Sequence, residues 1–394
     1  PMEMPAADYY GVHRPGDNLF AESLVALDLK TGESRWHYQT IHHGLWDWDL
    51  PCAPILYDMV KDGRTVKVLA QPTTSAFLFV LHRETGEPVW PVEERPVPQS
   101  EVPYEKTSPT QPFPTKPPPF DRQGITLDDL IDFTPELRAE AVELVKNFKI
   151  GPLFTPPALA RPNGPVATLI LPADVGGANW PGGSYDPETG RLYIHSHTNV
   201  FALPNVPAEL AKPPSTGNSA GMLRRAGKSD EPPIDFAAMQ RDPEAARRFR
   251  SSRPGTTVRG LPLIKPPYDR ITAYDMNRGE ILWQKTHSST PDEIRKNPAL
   301  AGMDLPRLGQ PGRTFIGVLT TKTLVLAGDG GVHSNEAGET VAVLRAYDKE
   351  TGEDVPGRVE MPGKQTGSPM TYFYNGKQYI VVAVTTNGPN GGGA

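Results

Sequence analysis

The sequence predicts an all-β chain assembled from β-propeller blades, on three observations: a repeated hairpin signature, a spacing near fifty residues and an abundance of turn formers. The signature occurs five times. ALDLKTGESRW (26–36), VLHRETGEPVW (80–90) and AYDMNRGEILW (273–283) place Asp or His four residues before a glycine and Trp four residues after it. SYDPETGRLYI (184–194) ends in Ile194 instead, and AYDKETGEDVP (346–356) ends in Pro356. Asp opens such a turn by accepting backbone hydrogen bonds, and glycine supplies the positive φ the turn needs. The tryptophan then stands on the return strand, where it buries a large area against a neighbouring unit. Asp28 and His82 are 54 residues apart and His82 and Asp186 are 104 apart, close to one and two periods. The later gaps of 89 and 73 residues require insertions. The 45 prolines and 37 glycines fit many turns and ordered loops between hydrophobic strands.

Two stretches interrupt the pattern. The first, about 94–165, holds the proline-rich SPTQPFPTKPPPF (108–120), expected as extended polyproline-like chain. TPELRAEAVELVKNF (134–148) follows. Thr134 suits a helix N-cap, Pro135 the first helical position, and Leu137, Ala141, Leu144, Val145 and Phe148 form one apolar stripe. One helix cannot make its own core, so this segment reads as an insertion over the propeller, and residues 1–394 as one partial propeller domain. The second excursion, about 202–265, is expected on the surface, with Arg247, Arg248 and Arg250 on a solvated helix face.

Composition excludes several classes. With 40 Lys+Arg against 46 Asp+Glu, a net charge of −6 and no basic run, the chain lacks the concentrated positive face that nucleic acid requires. Its one cysteine, Cys52, permits no internal disulfide, no Cys-x-x-Cys pair and no haem attachment motif. No stretch approaches the roughly 20 apolar residues of a membrane-spanning helix. The chain starts at Pro1 and stops in NGPNGGGA, so both ends read as cut, and the missing targeting signals leave its location open. His195 and His197, in IHSHTN, share one face of a strand without a third zinc ligand nearby, and are expected to be exposed strand histidines.

The densest cluster of chemistry is HHGLWDWDLP (42–51). Together with RPGDNLFAESLVALDLKTG (14–32), RETGEPVWPVEERPVP (83–98), GPLFTPPAL (151–159) and GGANWPGGSYDPETGRLYI (176–194), it resembles the pyrroloquinoline-quinone (PQQ) dependent dehydrogenases. The branch it looks most like is that of the membrane-bound glucose dehydrogenase and its sugar and alcohol relatives. The resemblance implies an eight-bladed propeller docked by tryptophans, of which this chain would hold a partial ring of about five blades. The piece alone would then be inactive. It also implies a periplasmic enzyme that oxidises a sugar, polyol or alcohol and passes electrons to an external acceptor, quinone or cytochrome c.

Such chemistry needs a base for the hydroxyl proton, an acceptor for the hydride and a cation that polarises the quinone carbonyl. By resemblance Asp47 is the base and also a ligand of calcium, magnesium or a lanthanide, with Trp46 and Trp48 lowering the local dielectric. The competing reading of Asp47 is a turn aspartate capping its own loop. Asp49, two residues on in an extended segment, would face the same cation, or else make a salt bridge or loop cap. His43 is a candidate contact to cofactor or substrate. At least one of His42 and His43 is expected to bond backbone, because successive strand residues face opposite ways. Asn179 matches a position whose amide contacts PQQ, Gly176 and Gly177 allow close approach, and Trp180 would pack nearby; a tight strand-entry turn is the alternative. Two positions depart from the family pattern. Thr74 stands where relatives usually carry Lys or Arg toward the quinone oxygens, and Gly44 where they usually carry Asp. Lys67, seven residues from Thr74, is too far along an extended chain to be assumed a substitute. Residues 3–5, Glu3-Met4-Pro5, carry no recognisable metal ligand. The other class open to this sequence is a non-catalytic propeller that binds protein, since fold alone confers no chemistry.

Overall fold

A computed structural model describes residues 1–5, 9–12, 14–159, 165–204 and 256–385. Antiparallel sheets succeed one another along the chain. The first is the hairpin Ser23–Leu27 with Ser34–Gln39. The second joins Ile55–Lys61, Arg64–Pro72 and Leu78–His82, and Leu81 bridges to Pro88. The third is four-stranded: Gly183–Asp186, Arg191–His197, Asp269–Asp275 and Glu280–Thr286. The fourth is built around Leu324–Gly328 and Thr340–Asp348, and the fifth is the hairpin Met370–Tyr374 with Lys377–Val381. This meander of blade-like sheets is the propeller architecture that the repeats predict.

All five signature turns close as their sequence dictates. The glycine N–H donates to the carbonyl four residues earlier, Gly32 to Asp28, Gly86 to His82, Gly190 to Asp186, Gly279 to Asp275 and Gly352 to Asp348, at 2.8–2.9 Å. Their φ angles lie between +65° and +77°, which a side chain would make costly. The signatures do not map one to a blade, however. Those at 184–194 and 273–283 are the first and last hairpins of the third sheet, joined where Arg191–His197 pairs with Asp269–Asp275. The 89-residue gap is therefore an excursion inside one blade, between its second and third strands. The fifth sheet carries no signature.

The tryptophans dock each sheet on the next. Trp36 covers Gly86, Trp90 covers Gly279 and Trp283 covers Gly352; a Cβ added at these glycines would come within 2.6, 3.0 and 2.7 Å of indole carbons. Trp36 and Trp283 also donate Nε1–H to the carbonyls of Arg83 and Lys349, at 3.3 Å each. Between the rims, strand alternation fills both faces of the third sheet. Leu192, Ile194, Tyr274 and Met276 meet Tyr57, Met59, Val68 and Ala70 of the second. Tyr193, Ile271 and Ala273 meet Val325, Ala327 and Tyr347 of the fourth.

The helix of the first insertion, α1 (Pro135–Val145), has its Thr134 hydroxyl accepting from the Leu137 amide and Pro135 in its first turn. Leu137, Ala141 and Val145 are buried, and Phe148 opens a short strand instead of prolonging the helix. The core α1 needs comes from elsewhere in the chain: Leu169, Leu261, Leu263, Tyr268 and Leu300 join it in one cluster. Part of the proline-rich run is a paired strand and not free polyproline chain. Thr110–Pro114 pairs with Val92–Pro96 in an isolated two-stranded sheet, where a missing N–H can face away from the partner. Arg247, Arg248 and Arg250 lie outside the described residues.

Candidate active site

The segment 42–51 is an irregular loop, held from both sides. Gln111 of the insertion hairpin clamps His42, accepting from its N–H at 2.8 Å and donating to its carbonyl at 2.6 Å. The His42 ring reaches Glu94 at 3.1 Å. His43 is buried, with Nε2 at 2.8 Å from Glu105 and Nδ1 at 2.7 Å from the Gly16 carbonyl. Both ring nitrogens are thus committed inside the fold, so His43 serves as a loop anchor in this arrangement. Burial raises the proton affinity of Glu105, but its hydrogen bonds from His43 and Gly11 and the nearby Arg14 outweigh that and hold its pKa below the usual value.

Trp46 and Trp48 form the buried side of the loop. Their rings stack at 5.5 Å and 17°, and both stand edge-on to Phe154 at 5.3 and 5.7 Å. Each indole N–H is satisfied, Trp46 by the Thr155 carbonyl at 2.8 Å and Trp48 by that of Ala173 at 3.0 Å. This gives GPLFTPPAL a purpose: it supplies the floor under WDWD. Asp47 and Asp49 alternate with the indoles and, unlike them, stay partly exposed. The loop is not extended at Asp47, whose φ of +61° lies in the left-handed region, which Asp adopts more readily than most residues.

Backbone bonds tie three of the sequence motifs together here. The Met4 amide donates to Asp49 Oδ1 at 2.8 Å. The Asp49 carbonyl accepts from the Thr74 amide at 3.3 Å and from its hydroxyl at 3.1 Å. The Thr74 carbonyl in turn accepts from Gly177 at 2.9 Å. Gly176 is open because Thr74 packs where a Cβ would stand. Asn179 folds back on its own turn, donating to the Val175 carbonyl at 2.9 Å and accepting from Trp180 at 2.8 Å, and Trp180 is 77% exposed. Lys67 is committed to Glu84 at 2.8 Å on the surface.

No sequence motif points to Glu22. It is fully buried at φ +46°, against Gly44, and no well-formed hydrogen bond reaches either carboxylate oxygen. Burial raises its pKa well above the usual carboxylate value. Arg14 and the Gly44 backbone offset part of this, while the negative charges of Asp49 and Asp47 add to it. Arg14 caps the corner, donating to the Gly44 carbonyl at 2.6 Å and to Asn18.

His195 and His197 are not exposed, contrary to expectation; they are 4% and 1% accessible. Their strand is an inner one of the third sheet, covered on both faces by neighbouring blades. His195 lies 3.5 Å from Asp269, which also accepts from the Ser288 backbone and hydroxyl. Burial lowers the pKa of His197 to about 4. Among the described residues no group of three or more His, Cys, Asp or Glu is arranged to hold a metal ion.

The donor chemistry fits a hard cation in part. Asp47 and Asp49 could supply two of the roughly six to eight oxygens that a calcium-sized ion takes, with the buried Glu22 carboxyl behind them. For a quinone cofactor the fit is uneven. Asn179 keeps one N–H and one lone pair uncommitted, whereas the Thr74 hydroxyl has spent its only proton on Asp49.

A blade-by-blade propeller with an acidic corner on a tryptophan floor defines a quinoprotein-type scaffold. The chain belongs to the PQQ family described as "Glucose/ethanol/alcohol dehydrogenase, beta-propeller domain", whose model matches residues 1–380. It is 31% identical to the quinoprotein glucose dehydrogenase of Escherichia coli (strain K12), over 99% of this chain and 45% of that protein. It is 32% identical to the glycerol dehydrogenase large subunit of Gluconobacter thailandicus, over 97% of this chain and 49% of that one. The chain thus spans just under half the length of these relatives. Among solved structures, the quinohemoprotein alcohol dehydrogenase of Pseudomonas putida HK5 matches 97% of this chain and 42% of its own, at TM-score 0.51 and 18% identity, a likeness of fold.

Proposed function

We propose that the full-length protein carrying this chain is a PQQ-dependent dehydrogenase that oxidises a sugar, polyol or alcohol, with Asp47 as the base. The observation that carries this is the pair Asp47 and Asp49, both partly exposed in a loop whose indoles are locked in the core, within a chain matched to the family over residues 1–380. Bound PQQ supplies hydride acceptance, which no side chain can. The chain's own part is narrower. Asp47 takes the hydroxyl proton on its carboxylate, and the Trp46–Trp48–Phe154 floor keeps water from its buried side. Asp49, oriented by the Met4 amide, adds negative charge for a calcium, magnesium or lanthanide ion. Asn179 offers an N–H toward the cofactor, and Thr74 holds the loop in place of the cation usual there. On this reading electrons pass to an external acceptor, and the protein works in the periplasm.

The test is dye reduction by the full-length protein with PQQ, calcium or lanthanum, and a panel of sugars, polyols and alcohols. Turnover is expected, and Asp47→Asn should lower kcat by about 10²–10⁴ while PQQ absorbance still reports binding. No PQQ binding and no turnover would overturn the proposal and favour a non-catalytic propeller, and Asp47→Asn turning over like an active parent would overturn Asp47 as the base.

A further inference from the structure

We propose that Glu22 is a further determinant of cation binding at the Asp47–Asp49 corner, acting through its charge from behind the loop and not as a ligand. The inference rests on the cation reading given above. Three observations carry it. The Glu22 side chain is fully buried, neither carboxylate oxygen has a well-formed hydrogen bond, and Arg14 and the Gly44 backbone offset only part of the burial cost, an arrangement that further positive charge would relieve. The charges it feels are those of Arg14, Asp49 and Asp47, and it packs on Gly44 of the same loop as the acidic pair. Finally, the space it fills is made by Gly44. A Cβ built on Gly44 would overlap both Glu22 oxygens, yet the Gly44 backbone has no positive φ and could carry a side chain. Glycine is needed at 44 to seat this carboxylate. The position where the family pattern leads one to expect Asp thus keeps an acidic group in the same volume, delivered from residue 22.

A carboxylate near a bound ion need not touch it to matter. At the effective dielectric of a protein interior a unit charge several ångströms away changes an affinity by roughly tenfold or more, and the effect grows with the charge of the ion. Terbium(III), excited through the neighbouring indoles of Trp46 and Trp48, is therefore the sensitive probe, and calcium by calorimetry the second.

In the full-length protein, Glu22→Gln is expected to weaken terbium binding by about tenfold or more and calcium binding by less. Its metal-free Tm should be equal or higher, because a buried charge has been removed. Gly44→Asp alone should lower Tm by crowding two carboxyls into one volume. The exchange variant Glu22→Ser/Gly44→Asp should recover terbium affinity to within about threefold of the parent, a factor well under the tenfold at stake. Unchanged terbium binding in Glu22→Gln, while Asp49→Asn weakens it, overturns the proposal and leaves the corner a cation site. Unchanged binding in Asp47→Asn and Asp49→Asn as well places the ion elsewhere, and both readings fall. A drop in metal-free Tm for Glu22→Gln that parallels the loss of binding makes Glu22 merely structural and also overturns it.

Discussion

His287 and His197 show how single buried side chains set the pH range of this fold. His287 lies between the Gly328 carbonyl at 3.0 Å from Nε2 and the Tyr347 hydroxyl at 2.7 Å from Nδ1. A carbonyl only accepts, so Nε2 carries the proton and Nδ1 accepts from Tyr347, which is the neutral ring. Burial lowers the pKa of both histidines to about 4, with the nearby Asp269 offsetting only part of it. Folded histidines that bind protons less readily than unfolded ones make stability fall as pH drops below about 6.5, by up to about 1.4 kcal/mol per pH unit for each. Glu22, with its raised pKa, acts in the opposite sense above its unfolded value. A variant comparison removes that common contribution. His197→Gln should lose about half of the two-histidine slope between pH 6.5 and 5, read from denaturant midpoints. Equal slopes in parent and variant would mean that His197 titrates normally. None of this was visible in IHSHTN, because two-residue spacing reports a shared strand face but not that neighbouring blades cover both faces.

At the scale of elements, the unit of assembly is a tryptophan seated on the turn glycine of the following sheet. Gly86 and Gly32 have nearly the same φ, +77° and +74°, but only Gly86 lies under an indole, while nothing stands within 4 Å of a Cβ at Gly32. Gly32→Ala should therefore cost about 1 kcal/mol for the backbone alone. Gly86→Ala should add about 1–3 kcal/mol of overpacking against Trp36. Urea melts of the two variants give the difference directly, and equal costs would show that the indole moves aside freely. The turns were legible in the sequence because Asp, glycine and their spacing act locally. Their allocation to blades was not: the signatures around Gly190 and Gly279 look like separate repeats but share one sheet, since strand pairing across residues 198–268 leaves no local trace. The same limit applies to the site. Of the residues singled out by motif, Thr74 and Asp49 do meet, at the Asp49 carbonyl. Glu22, Gln111 and Glu105 were missed, because their roles come from contacts with Gly44, His42 and His43, far from them in sequence.

Across the whole molecule, the third and fourth sheets are locked by a buried ion pair at the rim. Lys349 donates from Nζ to Asp186 at 2.7 Å, and both side chains are 6% exposed. The same lysine's carbonyl accepts from the Tyr193 hydroxyl at 2.9 Å, from the Trp283 indole and from Arg191, so one residue gathers four contacts from the neighbouring blade. Burial alone would raise the pKa of Asp186, but Lys349, Thr189 and the Glu188 amide outweigh it and hold it below the usual value. The pair's contribution is accordingly present above the unfolded carboxylate pKa and is lost as pH falls through the folded one. Lys349→Met keeps the backbone contacts while leaving Asp186 a charge without its cation. That should cost about 3 kcal/mol, the lower end for breaking a buried pair, because Thr189 and Glu188 still bond the carboxylate. Adding Asp186→Asn should return most of the loss, since the penalty comes from the stranded charge. If the interface also limits cooperativity, Lys349→Met will split a single denaturant transition into two, with near-UV signals from Trp283 lost first. A cost below about 0.5 kcal/mol with one unchanged transition would instead put this pair with surface ion pairs, and leave the blades tied by the apolar contact of Tyr193 and Ala273 with Val325 and Tyr347, by Trp283 on Gly352 and by the bonds to the Lys349 carbonyl.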